Sequence, residues 1–268
     1  MEHYCNNQWL FKPDLLLQLD LWGKGDYLPV LNKKSDKKFI ITCNGHSETK
    51  QECVSLGCRN IQDYLHKNLL TDSFVTEGPE EIPCVQPYTQ SLPRDIVAMD
   101  ERVPQDCSQL GLHGFCYDYI LEQKLNNWNR VINKAKKFHC AFGPNFSVLM
   151  DGLRCEAIEA IRRNRIATIS LQQAGIPTIQ TVSLTCARFF DIAYDGLAPN
   201  CPVAFEYMCK YNDKQLLYLL RLSVEKLLEI KNPTTLIIVG NRLDFDPGIP
   251  VVYYKSRIQK IREHEYSR

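Results

Sequence analysis

From Ser91 to Arg268, short apolar runs alternate with segments of helical periodicity, and no other feature restricts the fold as much. Parallel strands need a long crossover between them, which is usually a helix, so a strand–helix repeat of this kind predicts a mostly parallel sheet. Strands are expected at 96–99, 115–120, 138–142, 178–182, 203–208, 236–239 and 251–254. Helices are expected at 124–137, 153–174, 187–194 and 214–230, with Gly175 as a C-terminal cap and Pro177 as a stop. The fold class is α/β, with repeated βα units in a barrel-like or incomplete-barrel arrangement. An open doubly wound sheet is the alternative, but no glycine-rich phosphate turn follows the first strand.

Residues 1–90 read differently, as a small cysteine-rich module and linker ahead of an α/β domain at 91–268. Pro13 and the run LLLQLDLW suggest a helix that ends at Gly23 and Gly25. FIITC is a short strand, and Thr49 with Glu52 fits a capping box before a helix through IQDYLHKNLL. Between 72 and 93, Pro79, Pro83, Pro87 and Pro93 punctuate a polar stretch that marks a linker or an extended surface segment.

The net charge of +1 provides no global basic field of the kind that announces a nucleic-acid binder. No apolar window reaches the length of a membrane helix. The N-terminus MEHYCNNQWLFKPD has neither a basic region nor an apolar stretch, so no secretory signal is expected. Of the twelve cysteines, several sit in apolar patterns, among them Cys116, Cys140, Cys155 and Cys209. There they read as small hydrophobes in a reducing compartment, which places the chain in the cytoplasm.

Cys43, His46, Cys53 and Cys58 form the sharpest local constellation. Four soft ligands within a short segment could close a tetrahedral structural zinc site and stabilise a module too small to bury much core. The spacing matches no standard finger, and four unconnected residues in a cysteine-rich chain is the plainer alternative.

In α/β proteins, sites form at the C-terminal ends of parallel strands. Reading those ends singles out Asp118, Ser147 and Glu206 as candidate catalytic groups, with Asp100, Glu101, Ser183 and Arg242 nearby in the pattern; Asp195, in the segment after the helix at 187–194, is a further catalytic candidate that the strand-end pattern does not supply. Arg165 joins the catalytic candidates from the long helix. Asn145, Arg162 and Asn241 are candidate substrate contacts. Arg162 and Arg165 are three apart and share a helix face, where they could hold a phosphate or a carboxylate. Against each stands a plain role, such as capping a helix or pairing ions on a solvated face. Asp118 is the best of the set, because a carboxylate inside an apolar strand needs a partner.

The runs GFCYDYILEQ, FGPNFS, RRNRIATISLQQAGIPTIQTV, FDIAYDGL and NPTTLIIVG resemble, in order and spacing, an uncharacterised domain family of bacteria, phages and mobile elements. The resemblance covers about 93–254. It rests on Asp118, Pro144, Phe146, Ser147, Asn164, Arg165, Gly175, Asp195, Gly196 and Gly240. The family's acidic pair is reduced here to Tyr117-Asp118, its Pro-Asp-Phe-Ser turn carries Asn145, and Leu184 stands near the place of its tryptophan. The resemblance implies a phage or mobile-element setting and no particular reaction.

Two readings follow. One is a binding or regulatory protein acting on a nucleic-acid or protein partner, favoured by the missing carboxylates. The other is an enzyme acting on a nucleotide, nucleic acid or related polar substrate at the strand ends.

Overall fold

The structure, a computed structural model, describes residues 39–41, 47–49, 69, 74–183, 185–208 and 214–266. The chain divides into two units, Met1–Asn68 and Leu69–Arg268. In the first, β1 (Phe39–Ile41) pairs antiparallel with β2 (Ser47–Thr49). The helices expected at its start and through IQDYLHKNLL, and Cys43, His46, Cys53 and Cys58, lie outside the described residues.

The second unit opens with a small antiparallel hairpin, β3 (Thr76–Glu77) and β4 (Ile82–Pro83). The proline-rich stretch is therefore structured, and Ile82, Val85 and Tyr88 along it are buried. Gln172 holds it like a neighbouring strand: its side chain accepts from the Gln86 amide (2.9 Å) and donates to the Gln86 carbonyl (2.8 Å).

Seven parallel strands follow: β5 (Asp95–Ala98), β6 (Leu110–Gly114), β7 (Cys140–Pro144), β8 (Thr178–Thr181), β9 (Val203–Tyr207), β10 (Leu236–Gly240) and β11 (Val251–Tyr254). Each pairs with the next in chain order, so the sheet never reverses direction. With crossovers of one hand, sequential order puts every connection on the same face, and the sheet curls into a nearly closed barrel. The connections are α1 (Asp118–Leu125), α2 (Trp128–Ala135), α3 (Arg154–Gln173), a 3-10 turn (Ala187–Phe189) leading into α4 (Phe190–Ala193), and α5 (Lys214–Lys231). The last helix, α6 (Arg257–Tyr266), follows β11.

Strands buried on both faces need two packing layers, and both are present. Inside the barrel, Ile96, Phe142, Ile179, Ala204, Ile237, Val239 and Tyr254 pack together, with Tyr88 among them. Outside, Leu112 and Ala141 pack on Leu121, Trp128, Val131 and Leu171. Val203, Phe205 and Tyr207 pack on Leu220, Val224 and Leu227 of α5. Buried Cys107, Cys140 and Cys201 behave as small hydrophobes and carry free thiols, whereas Cys155 is exposed. No helix among the described residues is long and apolar enough to cross a membrane.

Between β5 and β11 there is no strand pairing. Side chains take its place. The Ile96 amide donates to Asp95 Oδ1 (2.8 Å), the Ile96 carbonyl accepts from Lys260 Nζ (2.7 Å), and the Ala98 amide donates to Glu101 Oε2 (2.9 Å). Tyr254 Oη donates across the seam to the Pro93 carbonyl.

The second strand departs from its expected position. It occupies Leu110–Gly114 rather than 115–120, and Asp118 opens α1 instead of lying in a strand. Gly111 and Gly114 weaken the strand signal, yet Gly111 is needed because a Cβ there would meet the Phe142 ring. An aspartate in a first helical turn is also favourable in its own right. The helix expected at 124–137 is two helices, broken at Asn126-Asn127, two poor helix formers.

Candidate functional site

Two loops at the C-terminal ends of β6 and β7 bring the first polar groups together. Asp118, exposed at the start of α1, accepts from the Ser147 amide (3.2 Å) and from the Ser147 hydroxyl (3.2 Å). The loop carrying Ser147 is held from below. Buried Asn164 of α3 accepts from the Phe146 amide (2.7 Å) and donates to the Phe146 carbonyl (3.2 Å), and Thr181 Oγ1 donates to the Pro144 carbonyl. Asn145, half-buried between them, accepts from the Ser183 hydroxyl at 2.9 Å. Asp118–Ser147 and Asn145–Ser183 thus form two hydrogen-bonded pairs that share one loop, across the ends of β6, β7 and β8.

Glu206 and Asn241 come from the other side of the mouth. Side chains alternate along a strand, so Glu206 shares the inward face of Ala204, and it lies directly beside Val239 of β10. Burial pushes the Glu206 carboxyl up from its ordinary value. The Asn241 amide donates to the Tyr207 carbonyl (2.7 Å), and its side-chain oxygen accepts from Gln259 of α6.

Arg165, Asp195 and Arg162 sit elsewhere. Arg165 is fully buried outside the sheet, where its guanidinium donates to the carbonyls of Asp195 (2.9 Å), Thr181 (3.0 Å) and Ala193 (3.1 Å). It ties the end of β8 to the segment after α4, and loss of solvent pushes it down to about 10. Asp195 lies beneath the β3–β4 hairpin. There Gly78, at φ +73°, leaves room that a Cβ would fill against the Asp195 carboxylate. Burial, then the charge of Glu77, raises the Asp195 carboxyl; Lys231 and Arg165 oppose this. Arg162 pairs with Glu159 on its own helix at 2.7 Å. Of the helix arginines, Arg163 is the one beside the mouth loops, paired with Glu122 of α1 (2.7 Å) and set over the Phe146 ring.

Sequence reasoning missed three mouth residues. His113, inward on β6, is buried to 3 % exposure, and its Nδ1 accepts from the Phe115 amide (3.2 Å). Burial, then the charge of Lys260, pushes it down to about 3, so it is neutral with the proton on Nε2. The signal was there, a histidine within the apolar run LGLHGF, although it matched no ligand or catalytic spacing. The others are Tyr117 and Tyr119, 70 % and 64 % exposed, whose rings stack at 5.9 Å on either side of Asp118 in sequence.

Among the described residues, no group of three or more His, Cys, Asp or Glu side chains is placed to hold a metal ion.

This geometry can be set beside known proteins. Residues 74–252 match the family model described as Domain of unknown function (DUF4417). The chain is 27% identical over 184 residues to the Gene 1 protein of Mycobacterium phage D29, covering 67% of this chain and 68% of that protein. It is 25% identical over 171 residues to the Gene 1 protein of Mycobacterium phage L5, covering 63% and 74%. No solved structure matches. The matched span runs from the β3–β4 hairpin to β11 and takes in the whole barrel with its mouth, and on that match the chain belongs to the DUF4417 family.

Proposed function

We propose that this phage-related protein is a binding protein that engages a protein partner at the barrel mouth. The observation that carries this reading is the exposed, stacked Tyr117–Tyr119 pair flanking Asp118. Leu149 and Leu153 extend that apolar rim on the β7–α3 loop, where each is also exposed. Large exposed apolar groups around a polar centre are characteristic of protein interaction sites. Tyrosine suits such a role because it supplies area at low conformational cost. The carboxylates of Asp118 and Glu206 at the mouth, where Arg163 is already paired with Glu122, disfavour a phosphate backbone there, which makes a protein a better partner than a nucleic acid.

The test compares wild type with a Tyr117→Ser/Tyr119→Ser variant as bait in host extract, followed by calorimetry with the purified partner. Affinity is expected to fall by about tenfold or more in the variant. Equal binding by both proteins, or salt-dependent binding of single-stranded DNA or RNA in place of a protein, would sink this reading.

A second reading, an enzyme, is favoured by one observation. Glu206 is an inward carboxyl near the C-terminal end of a parallel strand with a raised pKa, the profile of a general acid.

A further inference from the structure

Strand β9 divides its side chains cleanly. Val203, Phe205 and Tyr207 pack outward with α5, while Ala204 packs inward with Ile179, Ile237 and Val239. Glu206 must then point into the barrel, one residue short of the strand's end. Its neighbour on β10 is the fully buried Val239. Among the described residues, nothing donates a hydrogen bond to the Glu206 carboxylate and no cation pairs with it.

Three other partly buried acids of this unit are paired, while Asp195, whose Oδ2 is buried without a hydrogen-bond partner, has the charges of Lys231 and Arg165 nearby. Glu77 pairs with Lys231 (2.7 Å), Asp95 with Lys260 (2.8 Å) and Asp100 with Arg257 (2.6 Å). Glu206 therefore bears a desolvation cost that no protein group offsets, and desolvation is the sole cause of its raised pKa. An inward carboxylate with no cation of its own gains more from a cationic partner than one that is already paired. A hydrated metal ion fits poorly, since several oxygen, nitrogen or sulfur ligands would be needed and no cluster of three is present among the described residues. A basic group carried on an apolar stem fits better: the charge meets Glu206 and the methylenes meet the apolar inward face.

We propose that Glu206 anchors an arginine or lysine side chain that the partner inserts into the barrel mouth. This rests on the protein-partner reading and adds the chemistry of the inserted residue. Asn145, at the end of β7 two strands away, meets the Ser183 hydroxyl through its side-chain oxygen at 2.9 Å.

The probes are Nα-acetyl-arginine methylamide, Nα-acetyl-lysine methylamide and the neutral citrulline analogue, titrated into the full chain. The readout is the carboxyl carbon resonance of Glu206. A saturable shift with the arginine or lysine compound is expected, with none from citrulline. Glu206→Gln should weaken binding of the basic compound about tenfold or more, the loss of one charge-assisted contact. An unmoved Glu206 resonance overturns the proposal, as does equal binding by Glu206→Gln or a shift produced by Mg2+ in place of the basic compounds. The wild-type resonance decides the matter even if the variant does not fold. The tyrosine double variant separates the two ideas: if it keeps the partner while the arginine probe still moves Glu206, the partner reading fails and the anchor stands. If the partner binds Glu206→Gln as well as wild type, the anchor fails and the partner reading stands.

Discussion

Lys260 donates to the Ile96 carbonyl at 2.7 Å, at the one place where the barrel has no neighbouring strand. An exposed strand edge invites pairing with another chain, and lysine is a common means of blocking it. Here the lysine does more than block. Its ammonium occupies the position an eighth strand's amide would take, and the Asp95 carboxylate holds it at 2.8 Å. Lys260→Met should destabilise the domain by about 1–2 kcal/mol, because a carbonyl and a carboxylate lose their shared partner. It should also promote self-association through the uncovered β5 edge. Urea unfolding and size-exclusion with light scattering measure the two effects; a variant that is both as stable and as monodisperse as wild type contradicts the edge-capping role.

Tyr254 joins the seam from the other strand, donating to the Pro93 carbonyl. Removing only its hydroxyl keeps the ring packed at right angles to Phe142. Tyr254→Phe should therefore cost about 1 kcal/mol, the net value of one buried hydrogen bond. A loss of several kcal/mol would mean that the seam depends on this bond for closure rather than for trimming.

Arg165 gives a different expectation. Its three carbonyl partners are all backbone, so the guanidinium organises chain rather than substrate. Arg165→Met leaves those acceptors unsatisfied in a buried site, and the acidic pair Glu77 and Asp195 loses a nearby positive charge. Destabilisation of about 3 kcal/mol or more is expected. Thermal and urea unfolding of the variant provide the check, and a fall below about 1 kcal/mol would show that the carbonyls find other donors.

The strand–helix repeat was legible because β7, β9, β10 and β11 are apolar runs of strand length, and each shows itself in the sequence within a residue or two. β6 was not, since two glycines and a histidine in LGLHG look like a turn until Phe142 is seen packed against Gly111. The mouth was half legible for the same reason. Strand-end position picks out Asp118, Ser147, Asn145, Glu206 and Asn241, since it follows from chain order. It cannot tell Arg165, whose side chain turns outward to tie backbone, from an arginine that faces a ligand. Nor can local sequence reveal that Gln172 and Gln86 meet across 86 residues, which makes a stretch that reads as linker into part of the barrel's support.

His113 supplies the pH prediction. In the folded chain it titrates near 3, and unfolded it returns to its ordinary value near 6.5. The unfolded state therefore binds more protons between those values, so the contribution of this group is full above about pH 6.5 and is lost as pH falls toward 3. The total at stake is on the order of 5 kcal/mol. Asp195 and Glu206, whose carboxyls are raised, act in the opposite sense and lose stability as pH rises through their folded values. The difference between wild type and His113→Gln isolates the histidine from them. Glutamine retains an acceptor for the Phe115 amide and does not titrate, so the variant's unfolding free energy should decline less steeply than that of wild type from pH 6.5 to 4. Urea unfolding at half-unit pH steps measures both slopes, and parallel slopes would show that His113 already takes up its proton in the folded barrel.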